Sequence, residues 1–308
     1  MSAVSTRGVL ASLISSTGFA TLAWYASILS PRFTGWEIFG WRMVLIFPAL
    51  TIAMVVTGRG RRMVAFIRDL FSCWWRLPVL VINSALVAVQ MVLFTWAPGA
   101  GHAVELSLGY FLMPLVMILI GRVGFRETLT RGQALATALA ATGVGYEIIR
   151  SGGLGWPTLV VAIGYPAYFV SRRMSRMANA SALWAEMALA MPLAFVVLGN
   201  GESLSKATDP IAILLILGLG IISSGSTAIY TGAQLLLPFA LFGLLSYLEP
   251  VLLAIVAFVI LRETITVAEL PTYVLIWLAV MVLAVEAARR LGRRRRRHDM
   301  WWPEMHGL

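Results

Sequence analysis

Short polar segments punctuate this chain, and the stretches between them are nearly unbroken apolar runs about as long as a bilayer is thick. Ten such runs stand out, over residues 8–29, 36–57, 77–97, 103–121, 132–149, 157–171, 181–198, 211–231, 239–261 and 271–288. Backbone amides find no water partner in hydrocarbon, so each run predicts a helix. The alternating period of a membrane barrel is absent. The first run, Gly8 to Leu29, is longer than a signal-peptide core, and Ser30-Pro31-Arg32 is a poor cleavage site. It is therefore read as the first membrane helix.

One pattern occurs twice. Residues 105–131 and 241–267 align without a gap at an offset of 136, with eight of 27 positions identical. Leu108, Leu112, Pro114, Val123, Arg126, Glu127, Thr128 and Thr130 recur as Leu244, Leu248, Pro250, Val259, Arg262, Glu263, Thr264 and Thr266. Each copy is an apolar span with an internal proline and a charged Arg-Glu-Thr exit. Two related membrane halves are the plan of many secondary transporters. The halves are read as 1–150 and 151–288, followed by a polybasic tail, 289–308.

Cations orient the runs. With both termini cytoplasmic, 19 Lys and Arg residues fall inside and four outside, with Arg42 within the second run. Five helices per half is an odd number, so the second half enters the membrane upside down relative to the first. This predicts an all-α membrane protein of ten helices, two inverted repeats around a central cavity.

Composition agrees. Hydrophobic residues make up 59% of the chain and charged residues 12%, against about a quarter charged in soluble domains. The net charge of +10 is clustered between apolar runs, which is the mark of topology and of contact with anionic lipid, not of nucleic-acid binding. Cys73 stands alone and forms no internal disulfide. No zinc spacing, phosphate loop or nucleophile elbow is present, so neither metal, cofactor nor enzyme activity is expected.

The motifs resemble a known family. Two five-helix halves, each ending in P-x(11)-R-E-T, look like the EamA-type permeases of the drug/metabolite transporter superfamily. Three segments are similar to its RarD-type members: Glu105 to Phe111 followed by Pro114-Leu115, Glu37-x(4)-Arg42, and Glu186-x(5)-Pro192. The resemblance covers roughly residues 6–290. It departs in the first helix, where Ser16 to Tyr25 lacks the expected Pro and Lys. The resemblance implies a ten-helix basket in the bacterial inner membrane. It implies export or facilitated passage of small organic solutes such as amino acids, metabolites or drugs; RarD-type members are named for a chloramphenicol phenotype.

Charges inside membrane helices are costly and usually face the protein interior. Arg42 is either a cavity cation or half of a structural ion pair. Glu37 and Glu186, at equivalent positions of the two halves, are candidates for proton coupling or simply complement helix dipoles. Glu105, beside His102, is a third proton-coupling candidate or a helix-start residue. Glu249, in mid-span before Pro250, is a cavity candidate. Tyr110, Phe111 and Tyr247 flank the prolines and can stack on a solute. Pro114 and Pro250 each remove a helix hydrogen bond, freeing the carbonyls of Tyr110 and Ser246 for cargo, a hinge or a static kink. Arg126-Glu127 and Arg262-Glu263 are read as caps and anchors. The competing reading is a non-transporting membrane scaffold or sensor.

Overall fold

The apolar runs fold as helices in a computed structural model that describes residues 5–199, 202–256 and 267–301. In chain order they are α1 (Thr6–Leu29), α2 (Gly35–Val56), α3 (Gly60–Ser72), α4 (Arg76–Trp96), α5 (Ala103–Val123), α6 (Arg131–Arg150) and α7 (Trp156–Met174). There follow α8 (Ala180–Leu198), α9 (Glu202–Lys206), α10 (Pro210–Leu236), α11 (Phe239–Ser246), α12 (Leu248–Ile255) and α13 (Leu270–Trp301). No strand occurs among the described residues. Six helices, α1, α2, α4, α5, α8 and α10, are long and apolar enough to cross a membrane. Helices α6 and α7 and the shorter apolar segments Phe239–Ile255 and Leu270–Glu286 occupy the remaining expected positions.

Local chemistry sets the helix starts. Thr34 and Glu37 form a reciprocal capping box on α2, and Thr130 and Gln133 form one on α6. Asn179 and Asp209 cap α8 and α10. Two helices lie in polar segments that the hydrophobic runs do not mark. In α3, Met63 and Leu70 are buried while Val64, Ile67 and Phe71 are exposed. The other, α9, is a single short turn. Helix α13 continues through the arginine run expected to be a tail, because arginine is a strong helix former. The second Arg-Glu-Thr exit, Arg262 to Thr264, lies outside the described residues.

The packing pairs helices distant in the sequence. Helix α2 lies on α8, α5 on α11, and α6 on α13. In addition α1 packs on α10 and α7 on α4, while α5 packs on α7 and α12 on α1. Glycines allow close crossings: a Cβ at Gly220 would stand 2.7 Å from Leu45, and one at Gly143 would stand 3.1 Å from Leu275. Gly145 faces open space instead.

The repeated proline has different effects. Helix α5 runs unbroken through Pro114. Its counterpart breaks at Tyr247, where Tyr247 N donates to Leu244 O at 3.2 Å and Val251 N to Tyr247 O at 3.4 Å. Pro250 lacks the N–H that would reach Ser246 O.

Candidate functional site

Helices α1, α2, α4, α5, α7, α10 and α12 enclose a narrow chamber of about 30 Å³, space for only a few waters. Its wall is largely aromatic: Phe19, Phe94, Tyr110, Tyr165, Phe169 and Tyr230. Phe169 and Tyr230 meet edge-on at 5.5 Å, and both touch Phe242 of α11, at 5.2 and 4.9 Å.

Two opposite charges stand in this apolar wall. Arg42 is 3% exposed and Glu249 6%. Arg42 Nε donates to Ser223 Oγ at 3.0 Å, and its guanidinium lies 5.4 Å from the Phe94 ring. Its Nη1 is buried without a hydrogen-bond partner, as is Thr227 Oγ1. Neither Arg42 nor Glu249 takes part in an ion pair among the described residues. Buried charges are normally paired. A cation and a carboxylate without an ion pair among the described residues, together with an idle hydroxyl, form a site suited to a polar solute.

Phe94 and Tyr110 also line a vestibule of about 870 Å³ between the α1–α2 and α4–α5 ends. Their rings meet edge-on at 6.1 Å, a partition between vestibule and chamber.

No protein-family model matches the chain. Individual relatives do. The chloramphenicol-sensitive protein RarD of Pseudomonas aeruginosa is 39% identical over 296 residues, covering 96% of this chain and 99% of that protein. The chain belongs to the RarD family. An uncharacterized transporter of Pasteurella multocida is 34% identical over 94% of this chain and 99% of its own length. One from Haemophilus influenzae is 31% identical over 92% and 95%. A crystal structure at 21% identity superposes with a TM-score of 0.65 over 93% of this chain and 98% of the other, which establishes the fold as one already seen.

The remaining candidates of this RarD-family chain lie outside the chamber lining. Phe111 lines the vestibule and meets Tyr273 edge-on at 6.0 Å. Tyr247 is fully buried and donates to Phe111 O at 3.0 Å. Glu37 is engaged at the start of α2: Oε2 accepts from Thr34 N at 2.7 Å, and Oε1 accepts from Lys206 Nζ at 3.0 Å. Glu105 is about one-third exposed at the start of α5, with His102 Nδ1 at 3.3 Å. Glu186 is fully buried in an ion pair with Arg172 and accepts from Tyr168 Oη at 2.8 Å. Arg172 also donates to Tyr168 Oη at 2.9 Å and to Asn179 O at 3.0 Å.

Sequence reasoning missed Tyr165, Phe169, Tyr230 and Thr227 of the chamber. A signal existed for two of them: Tyr165, Tyr168 and Phe169 follow helical i, i+3, i+4 spacing and so share one face of α7. Arg172 reads as a loop cation in sequence because Arg173 and Arg176 follow it. Only the fold brings it to Glu186.

Proposed function

We propose that this RarD-family protein is a secondary transporter of a small organic solute in the bacterial inner membrane, working by alternating access between two inverted halves. The observation that carries the reading is two buried charges, Arg42 and Glu249, without an ion pair among the described residues, in one aromatic chamber beside a vestibule. A carboxylate on the solute complements Arg42, an amino or hydroxyl group complements Glu249, and the rings stack on an apolar body. Amino acids and amphipathic drugs of the chloramphenicol type fit that description. Glu249 is also a candidate for proton coupling, since no ion pair among the described residues holds its charge.

Support for the inverted repeat comes from the packing. Tyr247 touches Phe111, and the two are separated by the repeat offset of 136. Equivalent residues meet in this way at a two-fold axis. The helix pairs also map onto each other when each helix of one half is exchanged for its counterpart, α1–α10 becoming α7–α4 and α5–α7 becoming α12–α1. Support for contact with anionic lipid comes from a groove between α6 and α13, where Arg131 and Arg289 flank Leu135, Leu278, Met281 and Val285. Such a groove accommodates an acyl chain under a phosphate headgroup.

The test is counterflow in proteoliposomes across labelled amino acids, nucleosides and chloramphenicol, with and without a pH gradient. Exchange that is lost in Arg42→Ala supports the chamber as the cargo site. Absence of exchange across the whole panel, in protein shown to be folded, favours the non-transporting reading.

A further inference from the structure

The first amides of a helix have no acceptor within the helix, and Pro238, the N-cap residue of α11, offers no side-chain cap. Its acceptor comes from the loop after α5. Glu127 Oε1 accepts from Phe239 N at 2.8 Å, and Oε2 accepts from Ala240 N at 2.7 Å. The same carboxylate pairs with Arg173 Nη1 of α7 at 3.2 Å. The Arg173 guanidinium lies 4.3 Å from the Phe125 ring and 5.8 Å from the Phe239 ring. One carboxylate thus joins three segments: the α5–α6 loop, the end of α7 and the start of α11.

The backbone is shaped for this contact. A Cβ at Gly121 would stand 2.8 Å from Ala240 N, so only glycine lets α5 approach the start of α11 so closely. Glu127 N donates to Gly121 O at 2.9 Å, and Arg126 takes a left-handed φ of 52°, uncommon for a residue with a side chain. Phe239 and Ala240 are sealed, at 1% and 2% exposed.

The opposite end of the molecule differs. At the repeat offset of 136, the counterparts of Phe239 and Ala240 are Ala103 and Val104, the start of α5. Its N-cap residue, His102, makes no side-chain cap bond, and Glu263, the counterpart of Glu127, lies outside the described residues. Val104 is 51% exposed, and Ala103 lines the vestibule. The start of α5 is therefore open where the start of α11 is sealed.

We infer that Glu127, held by Arg173, is the latch that shuts the end of the pathway opposite the vestibule, and that opening this end requires the carboxylate to leave the start of α11. The role in transport rests on the reading proposed above; the closure itself can be measured without any cargo. Carboxylate bonds to backbone amides are charge-assisted and strong. Water entering the opened end replaces them at both Phe239 and Ala240.

The experiment uses single-cysteine reporters in a Cys73→Ser background. Ser107→Cys reports the vestibule, and Thr231→Cys reports the chamber. A membrane-impermeant maleimide is applied to either face of oriented vesicles. In the parent, the vestibule face labels Ser107→Cys, and the opposite face barely labels Thr231→Cys. Glu127→Ala and Arg173→Gln each raise labelling of Thr231→Cys from the opposite face by about five-fold or more, the population change of one to two kcal/mol. Glu127→Gln, which keeps one acceptor, falls between. Labelling unchanged from both faces, in variants that elute as folded monodisperse protein, would overturn the latch and leave Glu127 a static cap. Should Glu127→Ala fail to fold, Glu127→Gln and Arg173→Gln decide alone.

A second measurement separates the two readings. Oxidative cross-linking of Glu127→Cys to Ala240→Cys should stop exchange, and reduction should restore it. Exchange that continues through a complete cross-link refutes the latch while leaving the transporter intact. Altered labelling in a protein that exchanges none of the panel upholds the latch and removes the cargo reading.

Discussion

Removing Glu186 tests whether its burial with Arg172 is structural. Glu186 is 0% exposed and Arg172 1%, so neither charge has water to fall back on. Glu186→Ala leaves the guanidinium with Tyr168 Oη and Asn179 O as its acceptors among the described residues. Breaking a buried pair from one side costs about 3–5 kcal/mol, because the surviving charge stays desolvated. Glu186→Gln keeps a hydrogen-bond acceptor but loses the charge, and should cost about 1.5–3 kcal/mol. Replacing both partners with Met removes both charges and should recover most of the loss. The assay is reversible unfolding of the purified protein in mixed micelles, analysed as a double-mutant cycle. A loss below about 1 kcal/mol for Glu186→Ala, or a double variant worse than the sum of the singles, would refute the reasoning. If the double variant retains exchange with an unaltered pH response, Glu186 is removed from the proton-coupling candidates.

Three further outcomes follow from the chamber and its surroundings. Arg42→Gln should weaken half-saturation for carboxylate-bearing solutes by about ten- to a hundred-fold, the worth of one charge-assisted hydrogen bond, and spare neutral ones in the same counterflow assay. Glu249→Gln, neutral at every pH, should abolish stimulation of uptake by a pH gradient while leaving exchange in place; stimulation that persists assigns coupling elsewhere. Thr34→Ala removes the capping box that holds Glu37 and should lower stability by about 1 kcal/mol without altering exchange, as read by thermal unfolding beside the transport assay.

Much of the architecture was legible because lipid imposes a simple rule on sequence. Apolar length marked the helices. Helix α3 was hidden because its arginines break the apolar run that the rule detects, although its i, i+3 and i+7 spacing is present. The site was legible only in part. Arg42, Tyr110 and Glu249 were found because a charge or tyrosine in mid-span is unusual. Their partners were not, since Phe94, Thr227 and Tyr230 are ordinary residues for a membrane helix and acquire meaning only from the chamber they share. Glu127 was read as an anchor because sequence shows its neighbours in the chain, and the helix start it captures lies more than a hundred residues away.

The carboxylate at 249 has a thermodynamic consequence under the proposed alternating access. If two inverted halves carried the same sequence, exchanging their conformations would turn the molecule inside out at the same energy, so neither orientation would be preferred. Here Glu249 stands where the first copy has Met113, and the exchange is no longer between equals. Each 1.4 kcal/mol of difference makes one orientation about ten times more abundant at rest. On that reading the protein has a built-in resting polarity, set before any cargo or gradient acts on it.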